Sequence, residues 1–105
     1  MDRRSAIGLA LRNLAPRIPR HEFGVVIDHV LDSPGLRTAA PETAAWLSLV
    51  SYVRHVLTEY DDLLADGYDA ETARHFVLAD MDEALAEWGV RRRLSDEDDP
   101  ESGLG

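Results

Sequence analysis

Apolar residues between positions 46 and 88 are arranged as mirror images about Gly67. On each side of this glycine they recur at alternating steps of three and four residues, which is the spacing of one face of an α-helix. Two antiparallel helices joined at Gly67 would bring the two series together layer by layer, with one tryptophan from each helix at the open end. The predicted layers pair Trp46 with Trp88, Val50 with Ala84, Val53 with Met81, Leu57 with Val77, Tyr60 with Arg74, and Leu64 with Ala70.

Proline residues predict where the helices before the turn begin and end. A first helix over residues 3–14 stops before Pro16, and a second runs from residue 19 or 20 to residue 31. Pro41 begins a third helix, which we expect to continue without interruption to Asp66. The apolar surface of this third helix is too wide for one partner to cover, so the first two helices are expected to pack on its other side.

The chain after the turn predicts one more helix and a tail. Gly67 closes the third helix, and Asp69 is the N-cap of a fourth helix that ends near Gly89. The fold class is therefore all-α, a small bundle of about four helices built on a long antiparallel helical hairpin. We predict one helical domain over residues 1–93 and a disordered acidic tail over residues 94–105.

Composition narrows the classes of function. The chain has no cysteine, which excludes disulfides, thiolate catalysis and cysteine-ligated zinc. It has no glycine-rich phosphate loop and no set of converging metal ligands, so we expect neither a cofactor nor a metal. A short N-terminal apolar stretch without a cleavage site and the lack of a membrane-length apolar run predict a cytoplasmic protein without membrane contact. A net charge of −9 does not favour nucleic-acid binding.

Arg74 is the one charged residue in the apolar stripe of the fourth helix. A buried guanidinium needs a partner, because an unpaired buried charge costs several kcal/mol. In an antiparallel pair, Asp61 lies on the same side of the interface and at nearly the same level. We therefore predict an Arg74–Asp61 ion pair beside Tyr60, which would fix the register of the hairpin near its turn.

A run of polar residues lies on the third helix before the turn. Arg54, Thr58 and Asp61 share one flank, whereas His55 and Asp62 lie on the side opposite the core. This face is either a solvated helix surface with local hydrogen bonds or an anion-binding or acid–base site. The second interpretation lacks a nucleophile and a third converging group, so we predict no catalytic residue.

The other histidines give weaker signals. His29 falls beside Glu22 on the outer face of the second helix. His75 and Glu71 lie one turn apart on the outer face of the fourth helix, with Asp82 further along. Neither spacing supplies the ligands that a zinc or di-iron site requires.

The phrase R-H-x-x-T-x-Y-D-x-L-L at residues 54–64, with Ala73-Arg74 and Trp88 after it, resembles the bacterial and fungal family called domain of unknown function 2293. The P-x-I-P motif at residues 16–19 and the second helix are also similar to that family, so that the resemblance covers residues 14–88. It implies no activity. It implies that the family's marker positions are Arg54, His55, Thr58, Tyr60, Asp61 and Arg74.

Three functions remain open. The first is a non-catalytic module that binds another protein or a second copy of this chain, which fits a small helical core and a charged tail. The second is a small hydrolase or transferase in which Arg54 holds an anion and His55 moves a proton beside Asp61. The third is contact with nucleic acid through the N-terminal arginines and residues 91–93. We expect the first.

Overall fold

The structure, a computed structural model, describes the backbone of residues 1–97 and the side chains of residues 1–95. This part of the chain is helical and contains no strand. A 3₁₀ turn, Pro34–Leu36, lies between the second and third helices. The α-helices are α1 (Arg3–Leu14), α2 (Arg20–Asp32), α3 (Pro41–Val56), α4 (Tyr60–Ala65), α5 (Ala70–Glu87) and α6 (Leu94–Glu97).

Helix α3 is the central element, as the width of its apolar surface predicts. It packs against α1 and α2 on one side and against α5 on the other. Small residues, Ala44 and Ala45, are fully buried on α3, which lets the neighbouring helices approach closely. The fully buried larger side chains come from four helices and include Ile7, Leu11, Val26, Leu49, Val53, Val77, Met81 and Leu85.

The turn at Gly67 confirms the predicted hairpin. Gly67 has a φ of +104°, a left-handed conformation that glycine adopts without steric cost. The backbone N–H of Tyr68 donates to the carbonyl oxygen of Leu63 at 3.1 Å, and that of Gly67 donates to Leu64, which together form a Schellman closure. The Asp69 side chain then accepts a hydrogen bond from the backbone N–H of Thr72 at 2.8 Å and caps α5.

The predicted uninterrupted third helix is wrong, because the chain leaves the helical conformation between α3 and α4 at residues 57–59. The Thr58 hydroxyl donates to the carbonyl oxygen of Arg54 and accepts from the backbone N–H of Tyr60 at 3.2 Å. A threonine hydroxyl can thus replace main-chain partners of the helix. The apolar spacing continues across this break, which explains why periodicity alone did not reveal it.

The break also changes the packing of the hairpin layers. Leu57, predicted to face Val77 in the core, is 42% exposed. Trp88 packs against Tyr52, with 6.3 Å between ring centroids, and Trp46 is covered by the Arg92 guanidinium at 3.9 Å from its ring centroid. The buried stripe of α5 consists of Ala73, Val77, Met81 and Leu85, so that Arg74 lies beside it and is half-buried.

The N-terminal link is joined to the end of α5. The Arg17 guanidinium donates to the carbonyl oxygens of Ala86 at 3.0 Å and Glu87 at 3.2 Å, and its backbone N–H donates to Trp88 at 2.9 Å. A cation at this position also favours the negative end of the helix dipole. Gly89 follows with a φ of +87°, and a β-carbon placed on it would lie 3.0 Å from Cδ of Pro16.

The predicted tail begins too early. Residues 94–97 form the helical turn α6, and Leu94 packs against the core. Leu94, four positions after Val90, is the apolar residue that holds this segment to the core. The acidic composition of the segment does not suggest such a contact. Residues 98–105 lie outside the described part of the chain.

We expect Thr58→Val to destabilise the protein by about 1–2 kcal/mol, because the isosteric change removes a donor and an acceptor that two main-chain groups use. Urea unfolding at neutral pH measures this loss. The matched control is Thr58→Ser, which keeps the hydroxyl and should stay within about 0.5 kcal/mol of wild type. Equal effects of the two substitutions would contradict the role of the hydroxyl.

The N-cap of α5 predicts a pH dependence of stability. The hydrogen bonds from Thr72 and, to a smaller extent, the Arg74 charge hold the pKa of Asp69 below its usual value of 3.8. A lowered folded-state pKa means that this stabilisation is present above the unfolded-state pKa and is lost as pH falls through the folded-state pKa.

An asparagine at position 69 caps the helix without titrating. We therefore expect Asp69→Asn to lose less stability than wild type between about pH 6 and about pH 3. Urea unfolding at both pH values measures the difference, with the exposed Asp80→Asn as control. A wild-type acid sensitivity in Asp69→Asn would show that Asp69 does not contribute.

Candidate functional site

The residues at the α3–α4 break form a compact polar group, which we call the break cluster: Arg54, His55, Thr58, Tyr60 and Asp61. His55 Nδ1 lies 2.7 Å from Oδ1 of Asp61. The His55 ring meets the Tyr60 ring edge-on at 5.2 Å, and the Arg54 guanidinium carbon lies 5.6 Å from the Tyr60 ring centroid. The buried Tyr60 ring is therefore the centre around which the charged groups are arranged.

Most of the hydrogen bonds of this cluster hold the chain in place. The Thr58 hydroxyl is engaged with two main-chain groups, as described above. Asp61 orients His55, but both side chains are substantially exposed, at 61% and 44%. The Thr58 hydroxyl, the aliphatic hydroxyl of this cluster, is thus occupied by the main chain rather than held by the His55–Asp61 pair.

The predicted Arg74–Asp61 ion pair is wrong. Asp61 pairs with His55 instead, because the break turns α4 so that the carboxylate lies on the outer side of the hairpin. Arg74 and Arg54 both line a small cavity of about 40 Å³, together with Leu78, Met81 and Leu94. Arg54 is the member of the break cluster that lines this cavity with Arg74.

Helix α6 covers this cavity from the C-terminal side. Leu94 supplies the apolar contact. The Asp82 carboxylate accepts hydrogen bonds from the backbone N–H groups of Leu94 at 2.6 Å and Ser95 at 3.2 Å. Arg93 Nε lies 3.9 Å from the same carboxylate. Asp82 therefore anchors the start of α6 to the middle of α5.

Asp82 and Leu94 are the residues that sequence reasoning missed. Asp82 was assigned to the outer face of its helix, whereas its side chain is only 8% exposed. Its relation to Arg74 and Leu78, eight and four residues earlier on α5, places it on the same side of the helix. The spacing indicates only on which side of α5 Asp82 lies. It does not indicate that residues 94 and 95 pack against that side.

Internal contacts occupy most of the N-terminal arginines. This arrangement weakens the nucleic-acid alternative, since a phosphate-binding surface needs arginines that point outward. Arg3 donates to the carbonyl oxygen of Leu36 at 2.6 Å, Arg4 pairs with Asp28 at 3.2 Å, Arg12 lies 4.2 Å from the centroid of the Phe23 ring, and Arg17 caps α5.

His29 and Glu22, predicted beside each other on the outer face of the second helix, both contact α3. His29 Nδ1 hydrogen-bonds the buried Ser48 hydroxyl, and Glu22 accepts a hydrogen bond from the Tyr52 hydroxyl at 3.4 Å. Burial, with the nearby Glu22 charge, raises the pKa of Tyr52. Ser48 is 1% exposed, so its contact with His29 joins α2 to α3 and cannot present a nucleophile to solvent.

Among the described side chains, those of residues 1–95, no group of three or more histidine, aspartate or glutamate residues is placed to hold a metal ion. No helix in this part of the chain is both long and apolar enough to cross a membrane. Two larger grooves, of about 340 and 320 Å³, lie beside residues 90–93, and neither is lined by the break cluster.

The comparison with protein families agrees with the resemblance found in the sequence. A family model described as an uncharacterized conserved protein (DUF2293) matches residues 10–89. The chain belongs to the DUF2293 family. No curated protein and no solved structure matches the chain significantly. The family match contains the break cluster and Arg74, whereas α6 lies beyond its end.

We expect Arg74→Met to change the free energy of unfolding by less than about 1 kcal/mol, because methionine keeps the apolar stem and removes one of two neighbouring positive charges. Urea unfolding at neutral pH measures the change, with the exposed Arg20→Met as control. A loss of about 3 kcal/mol or more would mean that Arg74 neutralises a buried acid after all.

Proposed function

We propose that this DUF2293 protein is a non-catalytic interaction module that binds a segment of a partner protein. The binding surface is the face of α5 and α3 that Arg54, Arg74, Leu78 and Met81 form, which we call the arginine groove. The observation that carries the proposal is that a short helical turn, α6, already lies on this groove. A surface that receives a peptide turn from its own chain has the shape to receive one from another.

The geometry of the polar residues supports binding over catalysis. The cavity of about 40 Å³ between the two arginines has room for water but is far below the several hundred Å³ of a typical small-molecule pocket. A hydrolase or transferase that uses Arg54, His55 and Asp61 would also need a reacting group near His55. The His55 ring lies against Tyr60 and Asp61 instead.

A photo-cross-linking amino acid in place of Leu78 tests the proposal, because this half-buried residue lines the groove. In cells that produce the protein naturally, we expect a covalent adduct to one identifiable polypeptide, mapped by mass spectrometry to a defined segment. The matched control carries the same amino acid in place of the exposed His75 on α5 and should not form this adduct.

Two results would contradict the proposal. One is that position 78 cross-links only to residues of its own chain. The other is that positions 75 and 78 give the same adducts, which would indicate random collisions rather than binding at the groove.

A further inference from the structure

Four arginines lie near Leu94, at the start of α6 or just before it in the chain. Arg54 and Arg74 line the cavity under Leu94. Arg92 and Arg93 come directly before α6, where Arg92 covers Trp46 and Arg93 approaches Asp82. Guanidinium groups are planar donors that suit carboxylates, and several of them together make a surface that selects for acidic ligands.

The segment that lies on the arginine groove belongs to the most acidic part of the chain. Residues 95–101 contain five acidic residues and no basic one. The segment thus combines one apolar anchor, Leu94, with acidic residues that follow it. The charge of the occupant and the charge of the groove are complementary.

The first two residues of α6 are held against α5. The four residues of α6 are too short to form a stable helix alone, so its position depends on the groove. The contacts that the described side chains provide are the burial of Leu94 and the two hydrogen bonds to Asp82. A partner segment that offers the same contacts can therefore displace it.

We propose that the arginine groove recognises an acidic protein segment with one leading apolar residue, and that the chain's own C-terminal segment competes for the same place. This inference rests on the proposed function and names the chemistry of the partner. The apolar residue takes the place of Leu94 against Leu78 and Met81. Asp82 accepts the N–H groups that begin the partner's helical turn, and the arginines select the acids after them.

Asp82 favours a protein ligand over a nucleic acid. Its carboxylate accepts two backbone N–H groups in the present complex with α6. A peptide of any sequence without proline there presents such donors, whereas a phosphate backbone presents further negative charge to the same carboxylate. The groove therefore distinguishes the two polyanions by the backbone N–H donors that a peptide offers to Asp82 and a phosphate backbone lacks.

Binding of a fluorescent peptide to the full-length protein tests this inference. The probe is residues 94–105 of this chain as a synthetic peptide, and its control has each aspartate and glutamate replaced by asparagine and glutamine. The receptor is Leu94→Ser, which weakens the hold of the protein's own segment. We expect this variant to bind the acidic peptide about tenfold more tightly than wild type does, as removal of an internal competitor requires.

Two further variants locate the binding. Leu94→Ser combined with Arg74→Gln should lose at least the tenfold gain, whereas Leu94→Ser combined with the exposed Arg20→Gln should keep it. The affinity should fall with added salt, and the neutral peptide should bind at least about tenfold more weakly than the acidic one.

The wild-type protein provides a second measurement if Leu94→Ser does not fold. An excess of the acidic peptide should speed hydrogen exchange of the Leu94 and Ser95 backbone amides, because it displaces α6 from Asp82. Unchanged exchange rates at a peptide concentration that saturates binding would overturn the inference.

Other results would also overturn it. Equal binding of the neutral peptide would show that acids are not selected, and tighter binding of a single-stranded oligonucleotide of similar length would assign the groove to nucleic acid. Failure of a folded Leu94→Ser variant to bind the acidic peptide would reject this partner chemistry. In that case a specific adduct from position 78 would still support the proposed function.

Discussion

The hydroxyl group of Thr58 holds the turn on which the geometry of the hairpin depends. Because it accepts the N–H of Tyr60 and donates to the carbonyl oxygen of Arg54, α3 ends and α4 starts in a new position. The Tyr60 side chain is then buried in the core, and Asp61 hydrogen-bonds His55 on the outer side of the hairpin. Arg54 remains on the inner side, where it shares a cavity with Arg74.

Side chains also supply hydrogen bonds at four other ends of the helices. Asp2 and Asp69 accept backbone N–H groups at the starts of α1 and α5, and Asp82 does so for α6. Arg17 donates to the last carbonyl groups of α5. Buried or half-buried main-chain groups without such partners are costly, so these charged residues contribute to stability while lying near the surface.

Local signals in the sequence were sufficient to predict the helices and the turn. Pro16 and Pro41 limit helices by their missing N–H groups, Gly67 permits a left-handed φ, and Asp69 caps the next helix, and the structure confirms each of these. Such signals act within a few residues, so that no tertiary information is needed to read them. The marker residues of the polar cluster follow instead from the resemblance to the DUF2293 family.

The details that escaped prediction depend on tertiary contacts or on competition between bonds. At Thr58 the apolar period continues, and only the balance between a side-chain and a main-chain hydrogen bond decides that the helix breaks. Asp82 looks like any surface acid until Leu94 lies against it. The partner of Asp61 changed from Arg74 to His55 because a break of three residues reverses which flank the carboxylate occupies.

The hydrogen bonds from Arg17 to the end of α5, which we call the Arg17 contact, have a consequence for how the chain folds. This contact joins groups 70 residues apart in the sequence. The hairpin around Gly67 forms instead between residues that are close in sequence. Long loops cost more entropy to close, so we expect the hairpin to form first and the Arg17 contact to form later. Pro16 also packs closely against Gly89 beside the Arg17 contact. Two segments that lie far apart in the sequence therefore meet at this point. Breaking the Arg17 contact would release the link between α1 and α2 from the end of α5.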